Sequence, residues 1–153
     1  PGRQLRWEKQ GISGRTYQSD GNPSLYKKKA MVARSRASNH PRVLSAIDED
    51  WWPYLKTQWI ILNQTQVLPQ AEYISLFSSI FLALIPMAAR GEAEEAAAQD
   101  WGSDTSGLPS ALARLGMPLE VFRKALTGLA DKWTETVRTR DYVIFLEILR
   151  TRV

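Results

Sequence analysis

Six of the chain's twenty Lys and Arg residues, Lys27, Lys28, Lys29, Arg34, Arg36 and Arg42, fall within "LYKKKAMVARSRASNHPR", together with its one histidine and no acid. The chemistry open to such a stretch is electrostatic. Arg and Lys at helical spacing can neutralise successive backbone phosphates of a nucleic acid, and each contact releases counterions. No helix-turn-helix, homeodomain or zinc-finger pattern accompanies them, so grip on phosphates rather than base reading is what these residue types offer. The plain alternative is a solvated helix face. Against it stands the self-repulsion of a run of cations with no carboxylate to relieve it.

Other chemistries are poorly supplied. With one histidine and no cysteine, His/Cys metal clusters, Cys–His nucleophile pairs and disulfides cannot be built. His40, between Asn39 and Pro41, reads as a capping or loop residue, or a helper at the basic patch. "GISG" is too short for a phosphate-cradling loop and lacks the following Lys. Glu92, Glu94 and Glu95 sit in an alanine-rich stretch with no partner cluster and read as a solvated helix face rather than metal ligands. The expectation is a non-catalytic protein with no cofactor. The absence of cysteine fits a reducing, cytoplasmic setting, and no charged segment followed by an apolar one marks a secretory signal at the start.

The net charge of +4 is unevenly spread: residues 1–42 hold ten basic residues against Glu8 and Asp20, and residues 43–153 hold ten against fourteen acids. The N-terminal third is therefore at +8 and the remainder at −4, a localised footprint rather than an interleaved surface. With 153 residues, 44% of them hydrophobic, the chain can bury one sizeable core.

The elements that must position these residues read as helices. Residues 1–24 hold four Gly and two Pro without a sustained period and read as an extended or loop-rich tail, with Trp7 as its candidate anchor. A helical bundle domain is expected over 25–153. Its first helix spans 25–37 and stops before Pro41, with Lys27 and Arg34 on one stripe and Lys29 and Arg36 on another. The apolar stripe Leu25/Val32 is its expected packing edge. In "SAIDEDWWPYLKTQWIILNQT", Ser45 or Asp48 can cap a helix, Asp48, Glu49 and Asp50 suit its positive end, and Pro53 suits its first turn. Trp52, Leu55, Trp59 and Leu62 then face the core, which favours packing over base stacking for most of these rings.

Residues 70–89 are apolar all round and predict a central buried helix, with Ser75, Ser78 and Ser79 permitting close approach. The 17-residue run Tyr73–Ala89 is short for a membrane span, which needs roughly 20 apolar residues. Residues 90–107 predict an exposed helix followed by a loop. Helices at 108–115 and 118–133 follow, and a last one carries apolar residues at 142, 145, 146 and 149. No strand alternation is evident. The fold class is all-α, a single-domain bundle of about five to six helices.

Taken in order, "YKKKAMVARSRASNHPRVLSAIDEDWWPYLK", "ISLFSSIFLALIPMA", "SGLPSALARLG", "PLEVFRKAL" and "TRDYVIFLEILR" resemble the small subunit of the type I-E Cascade complex, the RNA-guided CRISPR surveillance effector. In that family a basic helix of the "RAxLRRA" kind precedes a buried helix ending in "LFALHP" and a last helix of the "DyxxLLxDLxxW" kind. Here "VARSRAS", "IFLALIP" and "RDYVIFLEIL" stand in their places. "LPSALA" lacks the family's glycine before the small-residue helix, and "VFRK" inverts its Arg-Phe order. The resemblance implies an all-helical, non-catalytic subunit that holds crRNA, its target or the displaced DNA strand by phosphates. It also implies other effector-complex subunits as partners, allows a homodimer and requires no membrane. Arg34 and Arg36 are carried over through "VARSRA", and Arg123 and Lys124 match the family's second basic spot. Lys27, Lys28, Lys29 and Arg42 join on charge alone. Two other classes fit parts of the sequence: a helical ribonucleoprotein or rod-virus coat subunit, through its tryptophan-rich helix, and a small membrane-associated helical protein.

Overall fold

The computed structural model describes residues 28–153, with side chains from Ala30 onward. The tail 1–24, Leu25 and Lys27 lie outside the described residues. Helix α1 (Lys28–Ser38) ends before Pro41 as the sequence dictates. The next helix, α2, starts earlier than expected. His40 caps it, its Nδ1 accepting a hydrogen bond from the backbone N–H of Arg42 at 3.1 Å, with Pro41 in the first turn.

Helix α2 is continuous through three parts: Pro41–Ala46, a π-helical turn Ile47–Trp51, and Trp52–Gln58. The π turn has a local cause. Pro53 has no N–H, and its ring would meet the carbonyl four residues back in a regular α-helix. Widening the preceding turn, with Trp52 N–H donating to Ile47 C=O, accommodates the proline inside the helix. Two expectations are corrected here. Pro53 is not in a first turn, and Asp48, Glu49 and Asp50 lie mid-helix rather than at a helix N-terminus. Trp59 (φ −130°, ψ 120°) then breaks the run, and a short α3 (Ile60–Thr65) follows. Trp52, Leu55 and Leu62 are buried as expected, while Trp59 is half-buried against the core.

Two-residue strands β1 (Val67–Leu68) and β2 (Met117–Pro118) pair antiparallel, Val67 opposite Pro118 and Leu68 opposite Met117. This bridge has no periodic sequence signal and was not expected. Gly116 makes it possible: at φ +137°, an added Cβ would lie 2.8 Å from the Leu68 carbonyl oxygen.

Helices α4 (Gln70–Leu84) and α5 (Arg90–Asp104) form the most extensive helix pair. Helix α4 stops at Leu84 because Pro86 pushes Ile85 out of helical geometry (φ −131°, ψ 76°). It buries one face, Tyr73, Leu76, Phe77, Ile80 and Leu84, with Ser78. Ser75 and Ser79 are exposed, so of the three serines only Ser78 sits where helices approach. Helix α5 extends through the stretch expected to be loop, because Ala93, Ala97 and Trp101, four residues apart, bury a continuous stripe. Tyr73 stacks on Phe77 at 4.1 Å and meets the edge of Trp101 at 5.1 Å.

The remaining helices are α6 (Ser110–Leu115), α7 (Leu119–Trp133) and α8 (Thr139–Arg150). Both α7 and α8 are amphipathic, α8 burying Tyr142, Phe145, Leu146 and Leu149 as their spacing requires. The fold is all-α with eight helices among the described residues, close to the expected five or six. One of the additional helices comes from the break at Trp59. No helix among the described residues is long and apolar enough to cross a membrane.

Candidate nucleic-acid interface

The expected cations divide into two kinds. Arg34 forks onto Asp131 of α7, Nε–Oδ1 at 3.0 Å and Nη2–Oδ2 at 2.5 Å, with its side chain only 14% exposed. Asp131 Oδ1 also accepts from the Tyr142 hydroxyl of α8 at 2.6 Å, so one carboxylate ties α1, α7 and α8. Burial and then the Asp131 hydrogen bond hold the Tyr142 phenol in its neutral form, well above the ordinary tyrosine pKa. Arg123 does the same elsewhere: Nε and Nη2 each reach a carboxylate oxygen of Asp48 at 2.7 Å, joining α7 to α2. Those bonds raise its pKa above the ordinary guanidinium value. A third pair, Arg150 to Asp50 at 2.6 Å, joins α8 to α2, with the guanidinium 5.2 Å from the Tyr54 ring centroid.

Arg34 and Arg123, both expected to meet phosphates, are thus forked onto carboxylates, Arg34 largely buried and Arg123 35% exposed. The planar fork of Arg matches a carboxylate bidentately where Lys cannot. The "acidic first turn" of the sequence supplies two of the three acceptors.

Arg36, Arg42 and Lys124 are exposed, and among the described residues none has an ion-pair partner. Lys28 and Lys29 occupy the first turn of α1. The packing edge of α1 is also corrected: Val32 and Met31 are 46% and 53% exposed, while Ala37 is buried. Small alanines let α1 approach α7 and α8 closely, which is also what brings Arg34 within reach of Asp131. The helix therefore turns Arg36, with Met31 and Val32, to solvent.

Two further cations belong with these. Arg138 immediately precedes α8 and Arg140 lies in its first turn; both are exposed, and neither side chain has an ion-pair partner among the described residues. The shared carboxylate of Asp131 fixes that turn, through Tyr142, against the second half of α1. The start of α2, carrying Arg42, packs on α8 as well. Arg36, Arg42, Arg138 and Arg140 thus lie on the segments of α1, α2 and α8 that these contacts bring together. The doublet "RTR" ahead of an amphipathic helix was the available sequence signal. It is masked because Asp141 follows directly, and Asp141 is taken up by Thr136.

The aromatic-rich stretch serves the core. Trp51 is fully buried and its Nε1–H donates to Leu146 C=O at 3.2 Å, and Trp52 lies 5.3 Å from Phe122. Glu92, Glu94 and Glu95 are exposed on α5, with Glu94 paired to Arg90 at 3.5 Å. No family model matches the sequence, and no curated protein or solved structure matches it.

Proposed function

We propose that this chain is a non-catalytic, nucleic-acid-holding subunit of an RNA-guided surveillance complex of the Cascade type. It binds crRNA, target or displaced strand through backbone phosphates, alongside other effector subunits. The observation that carries the reading is that Arg36, Arg42, Arg138 and Arg140, on packed segments of α1, α2 and α8, are exposed and without carboxylate partners among the described residues, whereas Arg34, Arg123 and Arg150 pair across helices. Four unneutralised cations favour a polyanion, and no exposed aromatic stands among them in the described residues, which favours phosphate contact over base contact.

Fluorescence anisotropy on two single-stranded oligonucleotides of unrelated sequence tests the binding. With four phosphate contacts, affinity falls about 50- to 150-fold between roughly 50 and 200 mM salt, equally for both sequences. Co-purification with an assembled crRNA-bearing effector backbone tests membership of the complex. Sequence-selective binding, or binding indifferent to salt, would overturn the phosphate-holding role, and failure to join the backbone would overturn the subunit assignment.

A further inference from the structure

Asn39 and His40 join α1 to α2 with no loop between them. The Asn39 N–H donates to Ser35 C=O at 3.1 Å and the His40 N–H to Ala37 C=O at 3.2 Å, which folds both residues onto the last turn of α1. On the other side, His40 C=O accepts from the Val43 and Leu44 N–H groups at 2.9 and 3.1 Å, and its Nδ1 accepts from the Arg42 N–H at 3.1 Å. His40 therefore stands at the joint between the turn that carries Arg36 and the turn that carries Arg42, and all three are exposed. The start of α8 reaches the same joint. Asp50 meets Arg150, the last residue of α8, and Pro41–Ala46 also packs on α8. The earlier part of α2 must then lie against the earlier part of α8, which begins with Thr139 and Arg140.

An accepting Nδ1 places the proton of the neutral imidazole on Nε2. That Nε2 has no hydrogen-bond partner among the described residues. The carboxylates on the elements packed here are engaged or stand further along. Asp131 holds Arg34 and the Tyr142 hydroxyl, Asp141 holds Thr136, and Glu135, between α7 and α8, is engaged as well. Asp48 and Asp50 are paired to Arg123 and Arg150, and Glu49, Glu120 and Glu147 each lie within one turn of a member of those two pairs. The charged groups left near the imidazole are cations.

We propose that His40 is a fifth phosphate-binding residue alongside Arg36, Arg42, Arg138 and Arg140, an inference that rests on the nucleic-acid reading above. Neutral, the ring caps α2, holds the backbone of Arg42 and offers Nε2–H as an uncharged donor. A proton taken up at Nδ1 ends the cap and makes the ring a cation with two donors. With no free carboxylate beside it, a nucleic-acid phosphate is the anion that pairs with it. Protonation then favours binding and binding favours protonation, by the same factor. Affinity for nucleic acid rises as pH falls.

His40 is the chain's one histidine, so a single substitution removes its titration. His40→Asn keeps a strong N-cap and does not titrate. The probe is an oligothymidylate with a rhodamine label and no terminal phosphate, which carries no titrating group between about pH 5.5 and 8, where histidine ordinarily changes charge. Its anisotropy is followed against salt at both pH values with the full chain, wild type and His40→Asn. Counterion release, at about 0.7 per contact on a single strand, makes one added contact raise affinity about 8-fold near 50 mM salt and about 3-fold near 200 mM. Wild type should show that gain at the lower pH, with a slope of log K against log salt steeper by about 0.7. His40→Asn should show neither, and titration elsewhere in the chain cancels in the comparison. Circular dichroism at each pH verifies that both proteins are folded. Equal wild-type affinities at the two pH values, or a gain as large in His40→Asn, would overturn the inference and leave the phosphate-holding reading standing. Absence of salt-dependent binding at pH 8 would overturn both.

Discussion

Arg34→Met is the substitution that separates folding from binding in the basic stretch. It keeps the apolar stem of the side chain and removes the fork that holds Asp131. The pair is neither surface nor deep core, with side chains 14% and 24% exposed. An exposed pair contributes up to about 1 kcal/mol, and breaking a buried one costs about 3–5 kcal/mol. The loss here should fall between, at about 2 kcal/mol, because Asp131 keeps the Tyr142 hydroxyl but loses the Arg34 guanidinium. For a chain of this size about 2 kcal/mol lowers Tm by roughly 4–8 °C. Thermal unfolding followed by circular dichroism measures it, and Arg34→Lys should recover part of the loss, since it restores charge without the fork. In a double-mutant cycle with Asp131→Asn, the combined loss should be smaller than the sum by about 0.5–3 kcal/mol. The dependence of nucleic-acid affinity on salt should be the same in Arg34→Met as in wild type. An unchanged Tm, with the salt slope reduced by about 0.7–0.9, would mean that Arg34 meets a phosphate and that the Asp131 clasp is inconsequential.

Gly116→Ala should destabilise by about 2 kcal/mol or more and loosen the β1–β2 bridge, since φ +137° disfavours any side chain and the new Cβ would press on the Leu68 carbonyl; urea denaturation checks it. Asp104 accepts the Tyr73 hydroxyl at 2.6 Å, and burial raises its pKa, an effect the hydrogen bond only partly offsets. With a folded-state pKa above the unfolded value, its contribution is fully present below the unfolded value and is lost as pH rises through the folded one. Asp104→Asn, which keeps an acceptor for Tyr73, should therefore be as stable as wild type or more so at pH 7. That advantage should disappear below about pH 3.5, under the ordinary aspartate range. A variant less stable than wild type at pH 7 and equal to it in acid would contradict this sign.

The fold was legible wherever burial repeats at helical period. Phe122, Ala125, Leu126 and Ala130 of α7 and the apolar residues of α8 lie on faces their spacing prescribes. Legibility failed where one local cause overrode the period. Pro53 produces a π turn rather than a helix start, Trp59 adopts an extended backbone inside an apolar pattern, and Ala93, Ala97 and Trp101 extend a helix through Gly- and Ser-rich sequence. The candidate site was half legible for a different reason. Clustering of Lys27 to Arg42 is visible in one dimension. Whether an arginine faces water or a carboxylate depends on residues far along the chain: Asp131 is 97 positions from Arg34, and Asp48 is 75 from Arg123. Such pairs carry no periodic signal. The same long-range packing, through Asp131 and Tyr142, sets the start of α8, which carries Arg138 and Arg140, against α1.

The central claim, that the exposed arginines where α1, α2 and α8 meet grip phosphates, is tested most directly by one salt titration. Anisotropy of a labelled single strand is followed from low to moderate salt for wild type and for the combined variant Arg36→Ala, Arg42→Ala, Arg138→Ala and Arg140→Ala. If each arginine neutralises one phosphate, the slope of log K against log salt flattens by about 3 units, at roughly 0.7–0.9 per contact. Helical content and Tm should stay at wild-type values, because none of the four side chains has an ion-pair partner among the described residues. An unchanged slope in the correctly folded variant would contradict the claim and leave these arginines without a role in binding nucleic acid.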